Sequence, residues 1–176
     1  MANVGVILLY HRIASLVPDT HDLCVPPAHF RAHMDHLRRH YRVMALEELA
    51  RAAAEGALPE RAVAVTLDDC SLDALETASP ILAECGVPAT FFATTERLDG
   101  NHEFWWDTLE RVLLSDEPVP ARLELLLDRT ITLLPTATAG ERAAAHRLLH
   151  QRLVGATLAE RKTLMRWLVR WRGDAL

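Results

Sequence analysis

The stretch Arg61–Ser71, reading RAVAVTLDDCS, constrains the fold of this chain more than any other. Ala62 to Leu67 is a short apolar run rich in β-branched residues, bounded by Pro59 and by two carboxylates. A run of that length and composition predicts a strand buried on both faces, as in a parallel sheet. Asp68 and Asp69 stand side by side where the predicted strand ends. The carboxyl edge of a parallel sheet is where α/β folds place their ligands. Two adjacent carboxylates there can serve as a hard oxygen ligand for a divalent cation and as the base for an attacking water. The alternative is a pair of solvated loop carboxylates.

The rest of the first hundred residues supports the same fold class. Val4 to Tyr10 predicts a strand ending in Tyr10-His11-Arg12, and Ile13 to Val25 a loop. Ala28 to His40 predicts a helix with Phe30, Met34, Leu37 and Tyr41 on its apolar face. Arg42 to Ala45 reads as a short β segment, and Leu46 to Glu55 as a helix stopped by Gly56. After the focal strand, Leu72 to Glu84 reads as helical with a break or kink at Pro80, and Pro88 to Thr94 as another buried strand. Strand and helix alternate, which argues for parallel βαβ units.

The pattern changes after Gly100. Phe104 to Leu114 predicts a helix, and Arg122 to Leu134 a hairpin with Asp128-Arg129 between its strands. Thr138-x-x-Glu141 and Thr157-x-x-Glu160 are capping boxes that start helices running to about Val154 and about Arg172. The last helix places Leu164, Trp167, Leu168 and Trp171 on one face. The division expected is therefore residues 1–100, a partial α/β barrel, and residues 101–176, a helix, a hairpin and a two-helix insertion or tail, in one compact unit.

Composition excludes some functions. With 19 basic against 24 acidic residues the formal charge is −5, which carries no nucleic-acid signature. No run approaches the ~20 apolar residues of a membrane span, and the N-terminal apolar run has no basic flank of a signal peptide. Cys24, Cys70 and Cys85 are odd in number and lack a CxxC spacing, so a disulfide framework is not expected and a cytoplasmic location fits.

Other candidates read more simply as structure. His11 ends the first strand on the same edge as Asp68, either as a ligand or lining the site, or as a histidine hydrogen-bonded at the sheet edge. His29, His33, His36 and His40 form a helical stripe that reads as a solvated flank. His146 and His150 (HRLLH) have the spacing of a zinc-protease helix, but Arg147 stands where that motif has Glu, so an ordinary surface helix is expected. Of Trp105 and Trp106, one is expected in the core. The basic, Trp-bearing last helix is expected to pack on protein rather than lie on a membrane surface.

Taken in order, ILLYHRI (residues 7–13), LCVPP with Phe30, AVAVTLDDC, PILAECGVPATFFATT and EFWWDTLE resemble the polysaccharide deacetylases, the NodB-homology carbohydrate esterases. The resemblance implies a distorted parallel (β/α) barrel, of which this chain would be the N-terminal part, from a C-terminally truncated member, carrying a mostly helical insertion or tail. It implies metal-dependent hydrolytic removal of acetyl groups from carbohydrate, with zinc or a similar divalent metal as cofactor and an acetylated carbohydrate as partner. In the family motif TFDDG the first Asp is the general base and the second binds the metal, so the resemblance implies Asp68 as base and Asp69 as metal ligand. Here Leu67 replaces Phe, Cys70 replaces Gly, and Ser71 stands where an aromatic residue is common. The family's two metal-binding histidines, in H-[ST]-x-x-H, are not found; HRLLH lacks the Ser or Thr. Little or no activity is therefore expected of this chain alone. The rival expectations are a non-catalytic module binding glycan or protein, and one half of a split deacetylase that meets a second chain, or itself, through an exposed barrel edge and the last helix.

Overall fold

A computed structural model describes residues 3–17, 19–95, 103–127 and 130–174. The chain divides into two compact units, Met1–Asp99 and Gly100–Leu176.

The first unit is a parallel sheet with helices, as the alternating pattern predicts. In chain order it contains β1 (Val6–Tyr10), α1 (Pro27–His40), β2 (Arg42–Val43), α2 (Leu46–Ala54), β3 (Ala62–Asp69), α3 (Ser79–Cys85) and β4 (Ala89–Ala93). All pairings are parallel and all involve β3. β1 lies along it with Tyr10 opposite Leu67, β2 meets its first two residues, and β4 pairs with Val65 to Asp69. Ala62 to Leu67 is fully buried, as the apolar run predicts. The strand runs two residues further than its hydrophobicity suggests, because Asp68 and Asp69 are paired to Phe92 and Ala93 of β4.

Side chains alternate across the sheet. Val63, Val65 and Leu67 pack with Phe30, Met34 and Leu37 of α1 and with Ile81, Leu82 and Cys85 of α3. Tyr41 does not join that face: it is the residue after α1 and is exposed, its extended backbone having left the helical period. On the opposite face, Ala62 and Ala64 pack with Leu49 of α2. The break expected at Pro80 takes the form of a widened π turn over Ala74–Ala78 leading into α3, with Ser79 donating to the Ala74 carbonyl. Pro80 has no N–H to give, so a regular ladder cannot pass through it.

The second unit contains α4 (Trp105–Leu114), the antiparallel hairpin β5 (Arg122–Leu127) and β6 (Thr130–Pro135), α5 (Ala139–Val154) and α6 (Leu158–Arg172). The expected turn residues Asp128 and Arg129 lie outside the described residues. Both capping boxes form: Thr138 and Thr157 accept from the Glu141 and Glu160 amides, and each Glu reaches back to the cap amide. The core is built from Leu109, Val112, Leu113, Leu123, Leu149, Leu153 and Leu168, with Trp105 packed against it. Trp106 instead stacks on Phe104 at 4.6 Å; both tryptophans are half-buried, and the one expected in the core, Trp105, packs against its margin. In α6 the buried face is Met165, Leu168 and Val169, flanked by half-buried Leu164 and Trp171, whereas Trp167 turns outward. No helix among the described residues is long and apolar enough to cross a membrane.

Candidate functional site

β3 delivers the carboxylate pair. Six buried residues anchor the strand in the sheet, and the two that follow are half-buried at its carboxyl edge. The backbone then turns sharply. Asp69 has φ +64° and Cys70 has φ +49°. The Cys70 amide donates to the Asp68 carbonyl at 2.8 Å, closing a three-residue turn around Asp69. Two successive non-glycine residues in the left-handed region are strained, and such strain collects where a site requires it. A Gly at position 70 would meet this geometry freely; here a thiol side chain is carried through it.

The Cys70 thiol is held above its ordinary pKa, first by burial and then by the negative fields of Asp68 and Asp69. It therefore stays protonated at neutral pH and is no activated nucleophile. Cys24, Cys70 and Cys85 are all free thiols.

His11 follows β1 directly. Because Tyr10 pairs with Leu67, His11 and Asp68 come next along neighbouring strands, at the same edge. His11 is half-buried. The placement expected from sequence is thus realised: His11, Asp68 and Asp69 share one end of the sheet.

Sequence reasoning missed Asp73. Its carboxylate accepts from the Ile13 amide at 2.6 Å, the Arg12 guanidinium at 2.9 Å and the Ser71 hydroxyl at 2.7 Å. The ion pair with Arg12 is only 13% exposed on the Asp side. On the far side of the β1 end, Arg12 bridges to Cys24 through backbone bonds with Leu23 and Val25, while the Asp19 carboxylate accepts from the Leu23 and Cys24 amides. Asp73 had no local signal, since two of its partners lie some sixty residues away.

His29, His33, His36 and His40 are all exposed on α1, a solvated flank as expected; His33 meets the Tyr10 hydroxyl at 3.2 Å. The second-unit pair departs from expectation: His146 is buried, and its ring lies 6.1 Å from that of His150, which in turn neighbours Trp105. The surface reading of HRLLH fails for His146 because α5 turns it inward beside Ala145 and Leu149.

The polysaccharide deacetylase family model matches residues 55–120, the segment that holds Asp68, Asp69, Cys70 and Asp73. Over this segment the chain is polysaccharide deacetylase-like. Among solved structures, a Streptococcus pyogenes deacetylase in complex with acetate is 27% identical, with a TM-score of 0.49, and the match covers 59% of this chain and 50% of that one. IcaB from Ammonifex degensii is 25% identical at a TM-score of 0.49, covering 62% and 48%. A de-N-acetylase from Aggregatibacter actinomycetemcomitans is 18% identical at 0.46, covering 83% and 51%. The chain spans about half the length of each of these. No curated protein matches it.

Proposed function

We propose that this chain serves the hydrolytic deacetylation of carbohydrate, as the N-terminal part of a (β/α) barrel, with Asp68 as general base and Asp69 as the carboxylate directed at a divalent cation. One observation carries the reading: two adjacent carboxylates end a fully buried parallel strand, inside the segment that matches the family.

The chemistry follows from the positions. A water approaching the acetyl carbonyl must lose a proton as it attacks. A carboxylate fixed at a strand end can take that proton, provided substrate brings the water within hydrogen-bond reach. The tetrahedral intermediate carries negative charge on the former carbonyl oxygen. It collapses with cleavage of the bond to the sugar nitrogen or oxygen, which leaves with a proton, and acetate is released.

The residues described do not complete a divalent-ion site: no three His, Cys, Asp or Glu side chains among them are grouped to hold one. Catalytic zinc sites use three protein ligands plus a water. No step is therefore routed through a metal here. Asp68 and Asp69 add negative charge where the intermediate is already negative, so oxyanion support must come from elsewhere. We accordingly expect this polypeptide alone to bind an acetylated oligosaccharide at the Asp68 edge and to turn it over slowly.

A second reading, a non-catalytic module, is favoured by Cys70, whose side chain occupies a turn that suits glycine. The test is acetate release from an N-acetylated chitin oligomer with zinc or cobalt present, for the wild type and Asp68→Asn. Release that the substitution abolishes establishes the enzyme; binding that it leaves unchanged, without release, establishes the module.

A further inference from the structure

We infer that Asp73 is a positioning residue of this site: by holding the end of β1 against the turn after β3, it sets where His11 stands relative to Asp68 and Asp69. The inference rests on the reading that this edge is the carbohydrate site.

The carboxylate joins two segments that carry the candidate residues. Its Oδ2 takes the Ile13 amide at 2.6 Å, and its Oδ1 takes Arg12 Nε at 2.9 Å. Both donors immediately follow His11. The same Oδ1 takes the Ser71 hydroxyl at 2.7 Å, and Ser71 immediately follows Cys70. A displacement of either segment is thus felt by the other through one side chain.

Two features separate this from an ordinary structural aspartate. Asp73 stands at the entrance to the π turn and α3, where an aspartate would usually cap amides of its own helix. It makes no such capping bond; its oxygens are committed to β1 and to Ser71. Ile13 is also buried, at 1% exposure, so its amide would lose its partner without the carboxylate and could regain one only by moving the strand end. The last β1 pair is Tyr10 with Leu67, so His11 is the residue between that ladder and the two donors that Asp73 holds.

Backbone NMR and binding of an N-acetylated chitin trimer test the inference on the whole chain. The short bond predicts a downfield Ile13 amide proton. In Asp73→Ala that proton moves upfield, the His11 and Asp69 amides shift with it, and affinity for the trimer falls about tenfold, the order of loss usual when a partner that orients site residues is removed. Leu37→Ala, a core truncation in the same unit, controls for general destabilisation. Ser71→Ala removes one leg of the clamp and serves if Asp73→Ala does not fold; it is expected to shift the same amides less. An Ile13 shift that leaves His11 and Asp69 unmoved overturns the inference. So does trimer affinity that falls no further in Asp73→Ala, or in Ser71→Ala where that variant stands in, than in Leu37→Ala. A wild type that does not bind the trimer removes the carbohydrate reading, and the coupled amide shifts then decide the role of Asp73.

Discussion

The amide of Cys70 donates to the carbonyl of Asp68 at 2.8 Å, so the two residues pinch Asp69 into a left-handed turn at φ +64°. Cys70 pays for this with its own φ of +49°. Left-handed backbone costs an L-residue roughly 1–2 kcal/mol, and glycine returns about half of the relief as extra chain entropy in the unfolded state. Cys70→Gly is therefore expected to stabilise the chain by roughly 0.5–1 kcal/mol. Cys70→Val, with a branched β-carbon, is expected to destabilise it. Urea unfolding of the three proteins checks the order.

The same geometry predicts a reactivity. Burial, then the fields of Asp68 and Asp69, raise the Cys70 pKa above the ordinary thiol value. Alkylation of Cys70, followed by peptide mass spectrometry against pH, should reach its midpoint above that of an unstructured cysteine. Asp68→Asn removes one of the two like charges, so the midpoint should move down. An unchanged midpoint would mean that the Asp68 carboxylate does not face the thiol.

The parts of the fold that were legible in the sequence are those set by local chemistry. Ala62 to Leu67 had no polar residue to expose except Thr66, and it became the central strand. Thr138 with Glu141 and Thr157 with Glu160 fixed two helix starts because both capping partners lie within one turn. What escaped depends on distant partners. β3 includes Asp68 and Asp69 only because β4 supplies a ladder there. His146 shares the buried face of α5 with Leu149 and Leu153, at i, i+3 and i+7, and its polar side chain hid that placement. Asp73 reads as one more polar residue at a helix start until β1 is laid beside it. The carboxylate pair and His11 were found because they end strands; the clamp that relates them was not.

The capping boxes give a stability test. Thr138→Ala is expected to cost about 1 kcal/mol. At Glu160, bonds from the Thr157 hydroxyl and amide hold the carboxyl below its ordinary pKa. A folded-state value below the unfolded one means that the stabilisation is present above the ordinary carboxylate range. It is lost as pH falls through the folded value. The stability difference between wild type and Glu160→Gln should therefore be present at neutral pH and close on acidification. A gap that widens toward low pH would contradict the assigned direction.

The two faces of the first sheet should respond differently to truncation. Leu67 is fully buried against α1 and α3, one residue before the carboxylates. Leu67→Ala is expected to cost about 2–5 kcal/mol, the range for deleting a buried leucine. On the other face, register places Leu9 beside Thr66 and Phe92 beside Asp68, and both apolar side chains are about half exposed. Leu9→Ser and Phe92→Ser are therefore expected to cost less than about 1 kcal/mol. They should also improve solubility, because they remove exposed apolar area from a sheet face. Thermal melts and light scattering at matched concentration separate the two classes. A Leu9→Ser loss as large as that of Leu67→Ala would show that the Asp68 face is covered in solution, and the candidate site would then have a wall beyond the residues described.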